Sequence, residues 1–158
     1  MSLKGLKLAF DKIKDAVNTS PYYQHMGIKL VELSERGSEM NMKMKESHKS
    51  VYGRVHGGAI ASLADSACSL ALVTAMEANE FIATQSLNVN YILPVEEGIL
   101  QARGWVVHRG RHTAILEADI FDNAGRRVAH AHTVHVIRVL PEEEEEFIDK
   151  ARESGGKI

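Results

Sequence analysis

Two features of this chain have residue types and a spacing suited to chemistry. Gly57 and Gly58 stand together after His56 at the start of an apolar run, and Asp65 follows eight residues after Gly57. Paired glycines at a helix start leave the backbone open to close approach. The unpaired N–H groups there, with the helix dipole behind them, can bind a developing negative oxygen, as an oxyanion hole does. A tight turn is the plainer explanation of the same dipeptide. Asp65 lies roughly two helical turns further on, among Leu63, Ala64, Ala67 and Leu70. A carboxylate with such neighbours loses water contact and must be hydrogen-bonded, paired or kept for function, for instance as a general base. Ser62 and Ser69, three residues before it and four after, share its helix face and could satisfy it in a purely structural role.

The elements that must hold these residues can be read from periodicity. Leu6, Phe10, Ile13 and Val17 predict one apolar face of an N-terminal helix that ends near Asn18 to Pro21. Ile28 to Leu33, and then Met40, Met42 and Met44 alternating with polar residues, predict two half-buried strands joined around Ser34 to Gly37. The methionine stripe reads as core, since alternation alone explains it. A polar loop from Glu46 to Val55 leads into a long helix that starts at the paired glycines and runs to about Ala78. Four strands follow: Leu87, Val89 and Tyr91 before Pro94; Ile99 to Val107; Thr113 to Phe121; and Val128 to Leu140. The last two flank an Asp122-Asn123-Ala124-Gly125 turn suited to a hairpin. Consecutive strands with short connections predict an α+β domain with an antiparallel sheet rather than a doubly wound fold. A long helix that is apolar on nearly all sides must be covered all round, most simply by a sheet curving round it, and a second subunit could complete the cover. The expected division is an N-terminal helix over residues 1–20, the main domain over 21–140 and an acidic, solvated tail over 141–158.

Composition excludes several classes. With 19 basic against 21 acidic residues, no clustered basic excess points to nucleic acid. Cys68 is the single cysteine and cannot form an internal disulfide, and the start of the chain lacks a secretory pattern, so a cytoplasmic protein is expected. The stretch Ala59 to Ala78 is nearly long enough for a bilayer, but Asp65, Thr74, Glu77 and its many small residues predict a helix buried in protein, with no membrane partner. On a strand His130 and His132 share one face while His135 points to the other, so no metal site is expected. No histidine is placed to activate Cys68, which reads as a structural thiol.

Taken together, several motifs carry a resemblance. Gly53-x-x-His56-Gly57-Gly58, Leu63-Ala64-Asp65, the run Thr84 to Asn90 leading to Pro94, Gly110-Arg111 and Ala129-His130-Ala131 occur in this order over roughly residues 25 to 138. In these the chain resembles the PaaI-like branch of the hotdog-fold acyl-CoA thioesterases. The resemblance implies a hotdog fold, in which a curved antiparallel sheet wraps one long central helix. It also implies hydrolysis of an acyl-CoA thioester to free acid and CoA with no metal or redox cofactor. Asp65 is then the general base or the nucleophile, and the Gly57 N–H polarises the thioester carbonyl. The hydroxyl of Thr84, as in one set of relatives, or of Ser69, as in another, orients the water. In the family the carboxylate and the glycine turn of one site come from different subunits, which implies at least a homodimer and, as a dimer of dimers, a homotetramer.

Ser50, His56, Gly58, Arg109 and Arg111 are the expected substrate contacts. Ser50 departs from the family's Asn or Gln six residues before the motif histidine, and its shorter hydroxyl needs a bridging water. His56 is expected to fix the turn by hydrogen bonding rather than to act as a base. Arg109 and Arg111, in a loop that gathers positive charge, could hold a CoA phosphate, although a solvated hairpin tip has the same composition. Tyr52, Met76, Phe81 and Tyr91 are candidates for shaping an acyl pocket. Two other readings compete. A non-catalytic acyl-CoA-binding module on the same fold has little use for a desolvated Asp65. A hotdog dehydratase places a histidine base on a proline-rich loop, whereas here Gly57, Gly58 and Ala59 follow His56.

Overall fold

The computed structural model describes residues 3–77 and 79–139, so the expected acidic tail lies outside the described residues. The chain forms α1 (Leu3–Thr19), α2 (Pro21–Met26), β1 (Ile28–Ser34), β2 (Gly37–Lys43), a 3₁₀ turn (Glu46–His48), α3 (Gly57–Val73), β3 (Glu80–Tyr91), β4 (Ile99–Arg109), β5 (Thr113–Phe121) and β6 (Arg127–Val139). The strands make one antiparallel sheet in the order β1-β2-β4-β5-β6-β3. α3 touches all six strands, which is the expected helix wrapped by a sheet. Among the described residues no helix is long and apolar enough to cross a membrane.

The core follows from strand alternation. Met40 and Met42 are fully buried and face Ala102 and Leu100 across the β2–β4 ladder. Gly104 brings the sheet against the helix backbone: a Cβ at this position would lie 2.5 Å from the carbonyl oxygen of Ala67. Beside it the Ser38 hydroxyl donates to that same carbonyl at 2.7 Å. These two contacts fix the height of α3 over β2 and β4.

Three elements differ from the sequence reading. β3 begins at Glu80, well before the alternating run that starts at Leu87. α3 ends at Val73, short of Ala78, because the Thr74 hydroxyl closes the last turn by donating to the carbonyl of Ala71 and also accepts the Arg36 N–H, both at 2.8 Å. Pro21 does not merely stop α1; it opens α2 at a first-turn position where its missing N–H is harmless. α2 then closes on Gly27, whose φ of 64° suits glycine.

The two edges of the sheet are treated differently. Along β1, Asn18 of α1 both donates to the carbonyl of Leu30 and accepts its N–H, and Lys14 donates to the carbonyl of Val31. This occupies backbone groups that would otherwise face solvent. β3, at the other edge, is 12 residues long and is exposed along most of its length, including Phe81, Leu87 and Tyr91. Its ladder with β6 slips between Thr84 and Ser86, leaving Gln85 as an extra residue. Thr84 therefore opposes His135 while Leu87, Val89 and Tyr91 oppose Thr133, Ala131 and Ala129, so both halves of β3 present these residues to the helix side of the sheet.

Candidate active site

Although α3 is apolar, it is not covered all round within one chain. Leu63, Ala64, Ala67 and Leu72 are buried, while Gly58, Ser62, Asp65, Ser69 and Val73, spaced at helical intervals, form a stripe with residual exposure. Asp65 sits in the middle of this stripe. Its partner is neither Ser62 nor Ser69: the Thr84 hydroxyl donates to Asp65 Oδ1 at 2.9 Å. Ser62 instead donates to the Gly58 carbonyl at 2.9 Å, the back-bond that helical serines commonly make. Ser69 Oγ lies 3.0 Å from His135 Nε2.

His135 is absent from the sequence-derived candidates, yet it joins the two hydroxyls. Its Nε2 lies 3.0 Å from Ser69 Oγ and 3.1 Å from Thr84 Oγ1, and its Nδ1 lies 3.3 Å from Thr133 Oγ1. The ring is fully buried. Burial lowers its pKa from the ordinary value, with the charge of Asp65 acting in the opposite direction. Nearby, burial pushes the Cys68 thiol up to about 12, which fits a structural role. The signal available in the sequence was parity, since His135 shares the inward phase of Ala129, Ala131 and Thr133 on β6.

At the start of α3, His56 is the N-cap residue, with extended backbone and an Nδ1 that accepts the Gly58 N–H at 2.9 Å. The imidazole fixes the turn, and the Gly58 N–H is thereby committed within the chain. Gly57, at the first helical position, has no intrahelical acceptor for its N–H. Its carbonyl accepts the Tyr91 hydroxyl at 2.9 Å, and a Cβ on Gly57 would meet the Tyr91 ring at 2.9 Å. Glycine here is what lets β3 approach the helix start. Beside it opens a cleft of roughly 380 Å³ lined mainly by apolar residues, among them Val55, Ile60, Tyr91, Ile92, Leu93 and Val95. Along the axis, eight residues at 1.5 Å separate Gly57 from Asp65 by about 12 Å. One chain therefore cannot bring both to a single carbonyl group, because donor and attacking group must each lie about 3 Å from the reacting atoms.

The remaining candidates are scattered. Ser50 belongs to a turn closed by its own N–H to the Arg54 carbonyl at 2.7 Å, and its hydroxyl accepts the Tyr52 N–H. Arg109 is engaged by the carboxylate of Glu80, whose pKa its hydrogen bonds hold below the ordinary value. Its guanidinium is thus partly neutralised as an anion site. Arg111 is exposed at the β4–β5 connection. Of the suggested pocket residues only Tyr91 lines the cleft beside Gly57; Tyr52 is exposed, and Met76 packs on the core. His130 pairs with Asp119 at 2.9 Å on the outer face of the sheet.

Comparison with known proteins agrees with this architecture. Residues 52–129 match the family model described as Thioesterase superfamily. A 1,4-dihydroxy-2-naphthoyl-CoA hydrolase of Listeria monocytogenes is 25% identical over 97 residues, covering 61% of this chain and 79% of the relative. The crystal structure of a thioesterase from Haemophilus influenzae superposes with a TM-score of 0.78 at 22% identity, covering 84% of this chain and 92% of that one. A mutant of the phenylacetic acid degradation protein PaaI from Thermus thermophilus gives a TM-score of 0.68 at 25% identity, covering 74% of this chain and 98% of that one. By its fold the chain is a hotdog domain, and over residues 52–129 it is similar to the Thioesterase superfamily.

Proposed function

We propose that the chain hydrolyses an acyl-CoA thioester to a free carboxylic acid and CoA, in a site shared between two copies. Asp65 of one copy acts as general base on water or as nucleophile, and the Gly57 N–H of the other polarises the thioester carbonyl. The observation that carries this reading is Asp65 itself, an acid on the one uncovered stripe of an apolar helix, held through Oδ1 by Thr84. A thioester suits so sparse a site, because its carbonyl is electrophilic and its thiolate leaves readily. The separation of about 12 Å between Gly57 and Asp65 and the bare edge of β3 support a homodimer in which two β3 strands pair. Antiparallel pairing across a two-fold axis, with Thr84 of one strand opposite Tyr91 of the other, would bring each Asp65 towards the partner's helix start. In this reading the apolar cleft beside Gly57 receives the acyl group or the pantetheine arm. Arg111 is then better placed than Arg109 to meet a CoA phosphate.

The test is thiol release from short, medium, long and aromatic acyl-CoAs by the wild type and by Asp65→Asn. Loss of release with ligand binding retained supports the assignment. Unchanged release by Asp65→Asn refutes it, and binding without turnover in the wild type indicates a non-catalytic binding module. Sharing of the site is tested by mixing Asp65→Asn with Gly57→Pro. Proline removes the N–H at the first helical position, after a His56 that is already extended, and the Tyr91 ring that the proline Cβ would meet at 2.9 Å is truncated in the same variant by Tyr91→Ala. Mixed dimers then contain one intact and one doubly defective site, so activity absent from either variant alone should return on mixing.

A further inference from the structure

We propose that His135 is a positioning residue for the reaction, carrying its proton on Nε2 and donating it to Thr84 and Ser69, so that the Thr84 hydrogen is fixed on Asp65 and the Ser69 hydrogen is turned towards the attacking water. The inference rests on the reading of Asp65 given above but concerns a residue outside the motifs that led to it.

The argument is a count of hydrogens. An ionised carboxylate only accepts, so in the 2.9 Å contact with Asp65 the hydroxyl of Thr84 must donate. That hydroxyl has one hydrogen. In its 3.1 Å contact with His135 it must therefore accept, and the ring must carry hydrogen on Nε2. The same N–H points between Thr84 and Ser69, whose Oγ is 3.0 Å away. Ser69 then accepts as well and keeps its own hydrogen. Ser62 and Ser66 spend theirs on carbonyls four residues earlier in α3. Ser69 makes no such bond among the described residues, and it lies one turn beyond Asp65 on the uncovered stripe. A neutral ring protonated on Nε2 leaves a lone pair on Nδ1, and the Thr133 hydroxyl, 3.3 Å away, supplies the hydrogen for it. Each contact is satisfied by one assignment, polarised from the core towards the carboxylate. Burial favours the neutral ring that this assignment needs.

Two measurements test this. In the resting wild type, nitrogen-15 NMR of the imidazole should report the Nε2–H tautomer for His135; an Nδ1–H ring would overturn the proposal whatever the enzyme's activity. In steady-state kinetics, His135→Leu should lower kcat by about 10- to 100-fold, the usual worth of a hydrogen bond to a charged network, with KM changed less than about twofold. His135→Gln keeps an N–H donor and should recover most of kcat. If His135→Leu unfolds, the glutamine variant and the NMR result decide the matter. A wild-type kcat in His135→Leu beside an inactive Asp65→Asn would sink the role of His135 and leave that of Asp65 intact. An active Asp65→Asn would instead remove the reading on which the kinetics rest.

Discussion

Replacing Gly104 by alanine should damage both stability and catalysis, by an amount that follows from one contact. The new Cβ would sit 2.5 Å from the carbonyl oxygen of Ala67 and 2.6 Å from its carbonyl carbon. Carbon atoms normally approach to about 3.5–4.0 Å, and both neighbours are helix backbone that no rotamer change can move aside. α3 and β4 must therefore part by roughly 1 Å, a gap that forfeits about a quarter to a half of the dispersion energy of each contact across it. Overpacking of this kind typically costs about 1–3 kcal/mol. For a domain of this size that lowers Tm by roughly 2–12 °C. The helix that shifts also carries Asp65, two residues before Ala67, so the 2.9 Å bond from Thr84 on β3 should lengthen and thiol release should fall as well. Thermal and urea unfolding followed by far-ultraviolet circular dichroism measure the first effect. Gly125→Ala is the control, since that site has a φ of 73° and nothing within 4 Å of the added carbon. Its cost is conformational only, about 1–2 kcal/mol. A Gly104→Ala protein that melts with the wild type would refute the account of how helix and sheet meet.

Two further outcomes are expected. His56→Ala should lose about 1 kcal/mol of stability in urea titrations, with His56→Asn recovering most of it, because an acceptor for the Gly58 N–H is what the cap supplies. Glu80→Gln should narrow the stability margin at neutral pH. The folded-state pKa of Glu80 is depressed by Arg109, so its contribution is present above the ordinary glutamate range and is lost as pH falls through the lower folded value. The two proteins should therefore converge in acid, and parallel curves across that range would contradict the ion pair's role.

Asp65 was legible in the sequence because a lone acid in an apolar helical run is conspicuous, and the glycine pair gave away the helix start. The succession of strands along the chain was equally plain from alternation, whereas their order in the sheet, with β3 at the far edge beside β6, was not. The partner of Asp65 was not. Thr84 reaches it only because Gln85 is an extra residue in β3, and alternation counted back from Tyr91, Val89 and Leu87 assigns Thr84 to the opposite face. Alternation puts His135 on the face opposite His130 and His132, but which face is inward and what His135 meets there depend on pairing between residues 51 positions apart. The end of α3 escaped notice because Ala75 and Met76 continue the apolar composition, while the stop lies in the hydrogen bonds of Thr74. Likewise, nothing local to Arg109 announces Glu80, 29 residues earlier in the chain.

The irregular pairing at Gln85 means that β3 is written in two frames. Upstream of it, alternate positions serve the acid; downstream, the opposite parity serves the helix start through Tyr91. What the strand must conserve at this point is therefore a length and not a side chain. Exchange of Gln85 leaves both frames in step, whereas loss of one residue would turn either the threonine or the tyrosine to the wrong side of the sheet. The two halves of the proposed chemistry are thus kept in register by a residue that touches neither.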